Sequence, residues 1–315
     1  MITLRKRLIL VSVAAVLSLL GMAVLPGQLS AAGAGGLLHP ARRPVTDVPP
    51  LACEDATFAG EGITLKGWRC DGSAPHRGTV LYLHGIGDNR SSAAGVVDRF
   101  VTRGYDVIAY DSRAHGESEG DLCTYGFLEK RDLSRVLDGV REGPILLIGT
   151  SLGAAVALQE AATDPRISAI VAAETFADLR TVATERAPFF FTAGIIDRAF
   201  RMAEKQGSFE VDAVSPATAA AHITIPVLLV HGADDSETVP EHSRRVLAAL
   251  RGRKQLILVP GARHNQSLTA EVWREIDVWV QGVLREPPPA PAGIVGNRRR
   301  MAQSLYGRMR LQPAT

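Results

Sequence analysis

The sequence predicts an α/β domain: a mostly parallel central sheet flanked by helices on both faces. Two patterns carry that prediction. Four short apolar runs, Thr79 to Leu83, Val107 to Tyr110, Ile145 to Ile148 and Ala169 to Ala173, are followed by two more, Val227 to Val230 and Leu256 to Val259. They are continuous rather than alternating, as strands buried on both faces are. Most are separated by stretches of helical spacing, such as Val96 to Arg103 and Leu152 to Ala162, and each is bounded by Gly, Pro or Asp. The size agrees, since 315 residues of which 46% are hydrophobic suffice for one large domain.

The same figures set limits on function. High apolar content with only 22% charged residues excludes a collagen-like or disordered chain. After the first 25 residues no apolar stretch reaches the length of a bilayer span, so a polytopic membrane protein is excluded. The net charge of +2 hides three regions. Residues 1–34 and 287–315 carry basic side chains and no acids, whereas the body between them holds 27 basic and 33 acidic residues. An acidic body is a poor nucleic-acid surface.

In chain order, Arg5-Lys6-Arg7 precedes the uncharged apolar run Leu8 to Leu25, and the small residues Ser30 to Ala34 follow. A basic start, an apolar run and Ala32-x-Ala34 read as an export signal, and the run is long enough to stay as an N-terminal membrane anchor. Residues 1–34 are therefore expected to be a signal peptide or anchor, with the body exported, either periplasmic or secreted, or held outside the cytoplasm. Association with a membrane would pass through this segment.

The body is expected over residues 50–286. It opens with two alternating runs, Ala56 to Phe58 and Ile63 to Trp68, joined by the turn signal Ala59-Gly60-Glu61-Gly62. A turn near Glu61 sets Cys53 opposite Arg69 or Cys70, so a Cys53–Cys70 disulfide is geometrically open. Cys123 is left as a free structural thiol.

Function in parallel sheets gathers at the carboxyl ends of the strands. The run ending at Ile148 continues as Gly149-Thr150-Ser151-Leu152-Gly153 and then a good helix. That is the strand, tight turn and helix that lifts a serine hydroxyl over a sheet, and it marks Ser151 as a nucleophile. A serine needs a base oriented by an acid. His264, the last histidine, follows the final apolar run, and the preceding strand ends in Asp234-Asp235. Spacing alone does not separate the two aspartates.

Residues 177–222 interrupt the strand and helix alternation and hold Phe189-Phe190-Phe191 with a helix expected over Ile196 to Glu204. An insertion here would be a small lid forming an acyl pocket. Three successive phenylalanines cannot share one side, so some are expected to face substrate or membrane and others the core. Residues 287–315 read as a Pro-rich linker with a solvated basic tail.

On these residues the chain resembles the α/β-hydrolase superfamily from about Thr57 to Leu284. Leu83-His84-Gly85-Ile86-Gly87 is similar to its His-Gly-x-Gly loop, and Asp111 to Ser118 to its D-x-R-G-H-G-x-S segment, with Ala114 for the usual Gly. The resemblance implies Asp235 as the acid through His231-Gly232-x-x-Asp235, with Asp234 and Glu174 as alternatives. It further implies that the Ile86 and Leu152 N–H groups hold the oxyanion. His84 and His231 are expected to brace loops, and His115 to organise one with Asp111 and Arg113. His39, His76, His222 and His242 receive no role. With no CxxC or HExxH pattern, neither a metal nor a cofactor is expected.

The function expected is a serine hydrolase acting on a small acyl substrate, a carboxylic ester of short to medium chain foremost. A thioesterase, peptidase, lipase or acyltransferase would use the same triad, and a silent ligand-binding module is the non-enzymatic rival.

Overall fold

The computed structural model describes residues 25–46 and 53–284. Most of the apolar run, the Pro-rich linker and the basic tail lie outside the described residues.

Eight strands form one sheet in the order β1-β2-β4-β3-β5-β6-β7-β8. They are β1 (Cys53–Ala59), β2 (Thr64–Cys70), β3 (Gly78–Leu83), β4 (Tyr105–Tyr110), β5 (Ile145–Thr150), β6 (Ile167–Ala173), β7 (Val227–Gly232) and β8 (Lys254–Val259). The hairpin β1–β2 is antiparallel and joins β4 antiparallel; from β4 to β8 every pairing is parallel. All six expected runs are strands, and β3 and β7 are buried along their whole length.

Helix α1 covers residues 25–38. It is followed by α2 (Ala94–Val101), α3 (Glu129–Leu137), α4 (Leu152–Ala161), α5 (Leu179–Glu185), α6 (Ala193–Gly207), α7 (Pro216–Ala220), α8 (Glu241–Ala249) and α9 (Ala270–Val283). One face of the sheet packs on α3, α4, α7 and α8 through residues such as Leu133, Leu158 and Val246. The other packs on α2 and α9 through Val97, Phe100, Ile276 and Trp279. The α9 side chains Val272, Ile276, Trp279, Val280 and Val283 recur at helical spacing on one buried stripe. Each large side chain buried this way contributes about 1.5–3 kcal/mol. In contrast, α4 is apolar on all sides from Leu152 to Leu158 and buried as far as Glu160, as a helix between sheet and outer layer must be.

Two expected boundaries gain structural context. The insertion carries more helix than Ile196 to Glu204: α6 runs from Ala193 to Gly207, and α5 precedes it with an N-cap from Asp178, which accepts the Thr181 N–H at 2.8 Å. The boundary expected at residue 34 falls inside α1, whose Ser30, Ala34 and Leu38 are buried.

Cys53 and Cys70 are partners in the β1–β2 register and are joined by a disulfide, while Cys123 is free and buried. The bond closes a loop with a sequence separation of 17 residues. The double variant Cys53→Ala/Cys70→Ala should lose about 3 kcal/mol of unfolding free energy in urea titration, from the freedom the unfolded chain regains. Because β1 is an edge strand, turnover should be retained.

Candidate active site

The centre of the sheet positions the site. β5 ends at Thr150 and α4 begins at Leu152, leaving Ser151 alone in the turn with φ 49° and ψ −110°. A left-handed φ on a non-glycine residue is strained, and the neighbours enforce it. A Cβ on Gly153 would fall on the Leu83 carbonyl, and one on Gly149 would lie 2.5 Å from the Ala154 nitrogen. Both glycines therefore permit a turn in which sheet and helix touch backbone to backbone. Ser151 makes no side-chain cap to α4, so its hydroxyl is free for another partner.

That partner is His264, in the loop after β8. Ser151 Oγ donates to His264 Nε2 at 3.1 Å, and His264 Nδ1 donates to Asp235 Oδ2 at 2.6 Å. The carboxylate fixes the tautomer by taking the Nδ1 proton, which leaves Nε2 as acceptor toward the serine. Asp235 Oδ1 meanwhile accepts the N–H groups of Glu237 and Thr238, each at 2.9 Å. Burial pushes the Asp235 carboxyl up, but hydrogen bonds from His231, His264 and Thr238 outweigh it and hold it well below the usual carboxylate range. Asp234 is exposed. The structure thus separates the two aspartates that spacing could not.

Glu174 also reaches the site, with Oε2 3.9 Å from His264 Nδ1. Its carboxylate is occupied by the N–H groups of Asn265 at 2.5 Å and Ser267 at 3.1 Å, so it anchors the His264 loop from the end of β6, two strands away. Among the described residues, Glu174, Asp235 and His264 are the grouping whose donor atoms all lie within 4.8 Å, the spacing a metal would require. Those donors are already engaged with one another or with backbone N–H groups.

The loop carrying Ile86 is fixed from below. His84 Nδ1 donates to the Gly85 carbonyl at 2.7 Å, and its Nε2 accepts the Ser112 N–H at 2.9 Å. Burial lowers the His84 pKa, which keeps this donor and acceptor pair intact. His115 stands edge-on to His84 and is fully buried; burial and its neighbour press its pKa down to about 4. Ala114 has φ 61°, which explains why a glycine is usual at that position. His231 braces the acid loop, donating to the Thr238 carbonyl at 2.7 Å and contacting Ser243 Oγ at 2.6 Å.

Ser151, Ile86 and Leu152 open into a cavity of about 410 Å³ walled mainly by apolar side chains. The insertion forms one wall through Leu179, Val182, Phe191 and Phe200. Of the three candidate phenylalanines only Phe191 lines this cavity; Phe189 is 99% exposed and Phe190 53% exposed, because the loop before α6 turns them outward.

Sequence reasoning missed two ties that hold the insertion over the site. His242 accepts the Ala177 N–H at 3.1 Å and donates to Glu185 at 2.8 Å, linking α8 to both ends of the first insertion segment. Arg186, which also lines the cavity, donates to the Glu237 carbonyl and to Thr238 Oγ1. Their partners lie 50 or more positions away, beyond any local pattern.

A strained serine in a strand-to-helix turn, an imidazole on its hydroxyl and a buried carboxylate on the imidazole can together move a proton off the serine as it attacks. The family model described as the alpha/beta hydrolase family matches residues 80–276. The chain belongs to that family. Among relatives of this α/β hydrolase is the uncharacterized protein YqkD of Bacillus subtilis, 30% identical over 223 residues that cover 66% of this chain and 71% of YqkD. Among solved structures it is similar to the Pyrococcus furiosus esterase Pf2001, with a TM-score of 0.64 and 22% identity over 78% of this chain and 99% of the esterase. The acylaminoacyl peptidase of Pyrococcus horikoshii is a further likeness, with a TM-score of 0.60 and 12% identity over 77% of this chain and 43% of the peptidase. At these identities the structural likenesses speak for the fold.

Proposed function

We propose that this α/β hydrolase cleaves a carboxylic ester through an acyl-enzyme on Ser151. The observation that carries the proposal is the unbroken relay Asp235–His264–Ser151 opening onto an apolar cavity. Ser151 Oγ attacks the ester carbonyl as His264 Nε2 takes its proton, and Asp235 stabilises the imidazolium. The N–H groups of Ile86 and Leu152 receive the negative charge that develops on the carbonyl oxygen, each such donor being worth about 3 kcal/mol. His264 returns the proton to the leaving alcohol. Water activated by His264 then frees the acid and restores the serine.

An acyl group of short to medium length suits a cavity of about 410 Å³ with apolar walls. The N-terminal apolar run supports a location outside the cytoplasm, whether exported or anchored. A panel of p-nitrophenyl esters, acyl thioesters and aminoacyl amides tests the reading. Esters should exceed amides in kcat/KM by roughly tenfold or more. A preference for amides would make the protein a peptidase. Product analysis with added glycerol separates hydrolysis from acyl transfer, with free acid expected to dominate.

A further inference from the structure

Helix α1 lies where a removable leader would be expected to end, yet it is built into the pocket. Ser30, Ala34 and Leu38 recur every four residues and form its buried stripe. Ser30 Oγ sits 3.1 Å from the Ile195 carbonyl of α6. A Cβ on Gly33 would lie 3.0 Å from the Phe191 ring and 3.2 Å from Ala199, so α1 presses closely on the insertion there and a side chain would have to push these neighbours back. Ala32, Gly33, Gly36 and Leu37 line the same cavity as Ser151. Beyond the helix, the Leu38 carbonyl accepts the Cys123 N–H at 2.8 Å, and Arg42 donates to the carbonyls of Gly116, Ser118 and Gly120. A cut after Ala34 would remove Ala32 and Gly33 from the cavity wall and uncover the Gly33 contacts on Phe191 and Ala199.

The sequence N-terminal to this wall is the uncharged run Leu8 to Leu25, the length that a bilayer span takes. It joins α1 at Leu25, which is 54% exposed. The loop that supplies Phe191 to the wall also presents Phe189 and Phe190 outward. Exposed aromatic side chains on the loop that contacts α1 fit a membrane interface.

We propose that α1 is a permanent wall of the acyl pocket, that the chain is not cut after Ala34, and that the retained apolar run seats Phe189 and Phe190 in a bilayer that delivers the acyl ester. This deepens the ester-hydrolase reading and rests on it. Enzyme and lipid are thereby joined by adjoining segments: the run that anchors the chain leads into the helix that shapes the site accepting the acyl chain.

The test uses the full chain with its own N-terminus and a C-terminal tag. Intact mass of the membrane-extracted protein should include residues 25–38, and the protein should stay in the membrane pellet after a carbonate wash. A chain beginning at Gly35, or release by carbonate, would overturn the proposal. A Cβ on Gly36 meets nothing within 4 Å, so Gly36→Leu should fold and narrow the pocket. It should lower the ratio of kcat/KM for p-nitrophenyl dodecanoate to that for the acetate by about tenfold; an unchanged ratio would remove α1 from the pocket. Phe189→Ser/Phe190→Ser should lower hydrolysis of a long-chain ester in phosphatidylglycerol vesicles relative to a dissolved butyrate ester, and an equal effect on both would refute membrane seating. Failure of the underlying reading would show separately, as no ester hydrolysis and no labelling by a fluorophosphonate.

Discussion

His264→Ala is expected to reduce kcat for ester hydrolysis by a factor on the order of 10⁶, with the fold retained. The magnitude follows from the geometry. Ser151 Oγ has one base within hydrogen-bond reach, His264 Nε2 at 3.1 Å, and an alcohol that keeps its proton is a weak nucleophile. What survives would come from substrate binding and the N–H groups of Ile86 and Leu152, which leave about 10³–10⁴-fold over water. Rates should be measured under single-turnover conditions beside a melting curve of the variant. A loss below tenfold in a folded variant would remove His264 from the reaction.

Asp235→Asn should cost about 10⁴-fold in kcat, while Asp234→Asn should leave it within roughly twofold. The asparagine retains the size of the side chain, but it can present an N–H to Nδ1. The proton then moves to Nε2, the nitrogen facing Ser151, and the base is spent. Asp234 is exposed and lies outside the relay. Equal losses at the two positions would contradict the assignment, and so would a larger loss at Glu174→Gln than at Asp235→Asn. The same carboxylate bears on stability. Its folded pKa is held down, so the stabilisation is present above the unfolded value near 4 and lost as pH falls through the folded value. The stability gap between wild type and Asp235→Asn should therefore narrow on acidification from pH 7 to pH 3, as read by urea unfolding.

How far the sequence carried this account depends on whether the deciding interaction is local. Continuous apolar runs produced the parallel strands because burial on both faces leaves no room for alternation. Ser151 was legible from Gly149 and Gly153, since the turn needs bare backbone where α4 meets Leu83. The choice between Asp234 and Asp235 was not, because two adjacent side chains differ only in the direction they point. It took a resemblance to select one, and the 2.6 Å contact to His264 to show the direction.

The insertion divided in the same way. Its apolar content was visible, but which phenylalanine enters the cavity depends on how the loop before α6 turns. His242 carries no local signal because its partners, the Ala177 N–H and Glu185, lie on elements distant in sequence. Helix α1 was missed for a different reason. Its buried stripe is Ser30, Ala34 and Leu38, two small residues and one leucine, and small residues carry little hydrophobic signal however closely they pack.

The measurement that bears most directly on Ser151 as the nucleophile is labelling by a fluorophosphonate, followed by peptide mapping. The phosphonylating group reacts far faster with an activated nucleophile than with an ordinary hydroxyl, and peptide mapping identifies which residue took it. Wild type should be labelled stoichiometrically on the peptide that carries Ser151, and Ser151→Ala should remain unlabelled. A folded wild-type protein that does not react, or a Ser151→Ala variant that labels equally, would contradict the account.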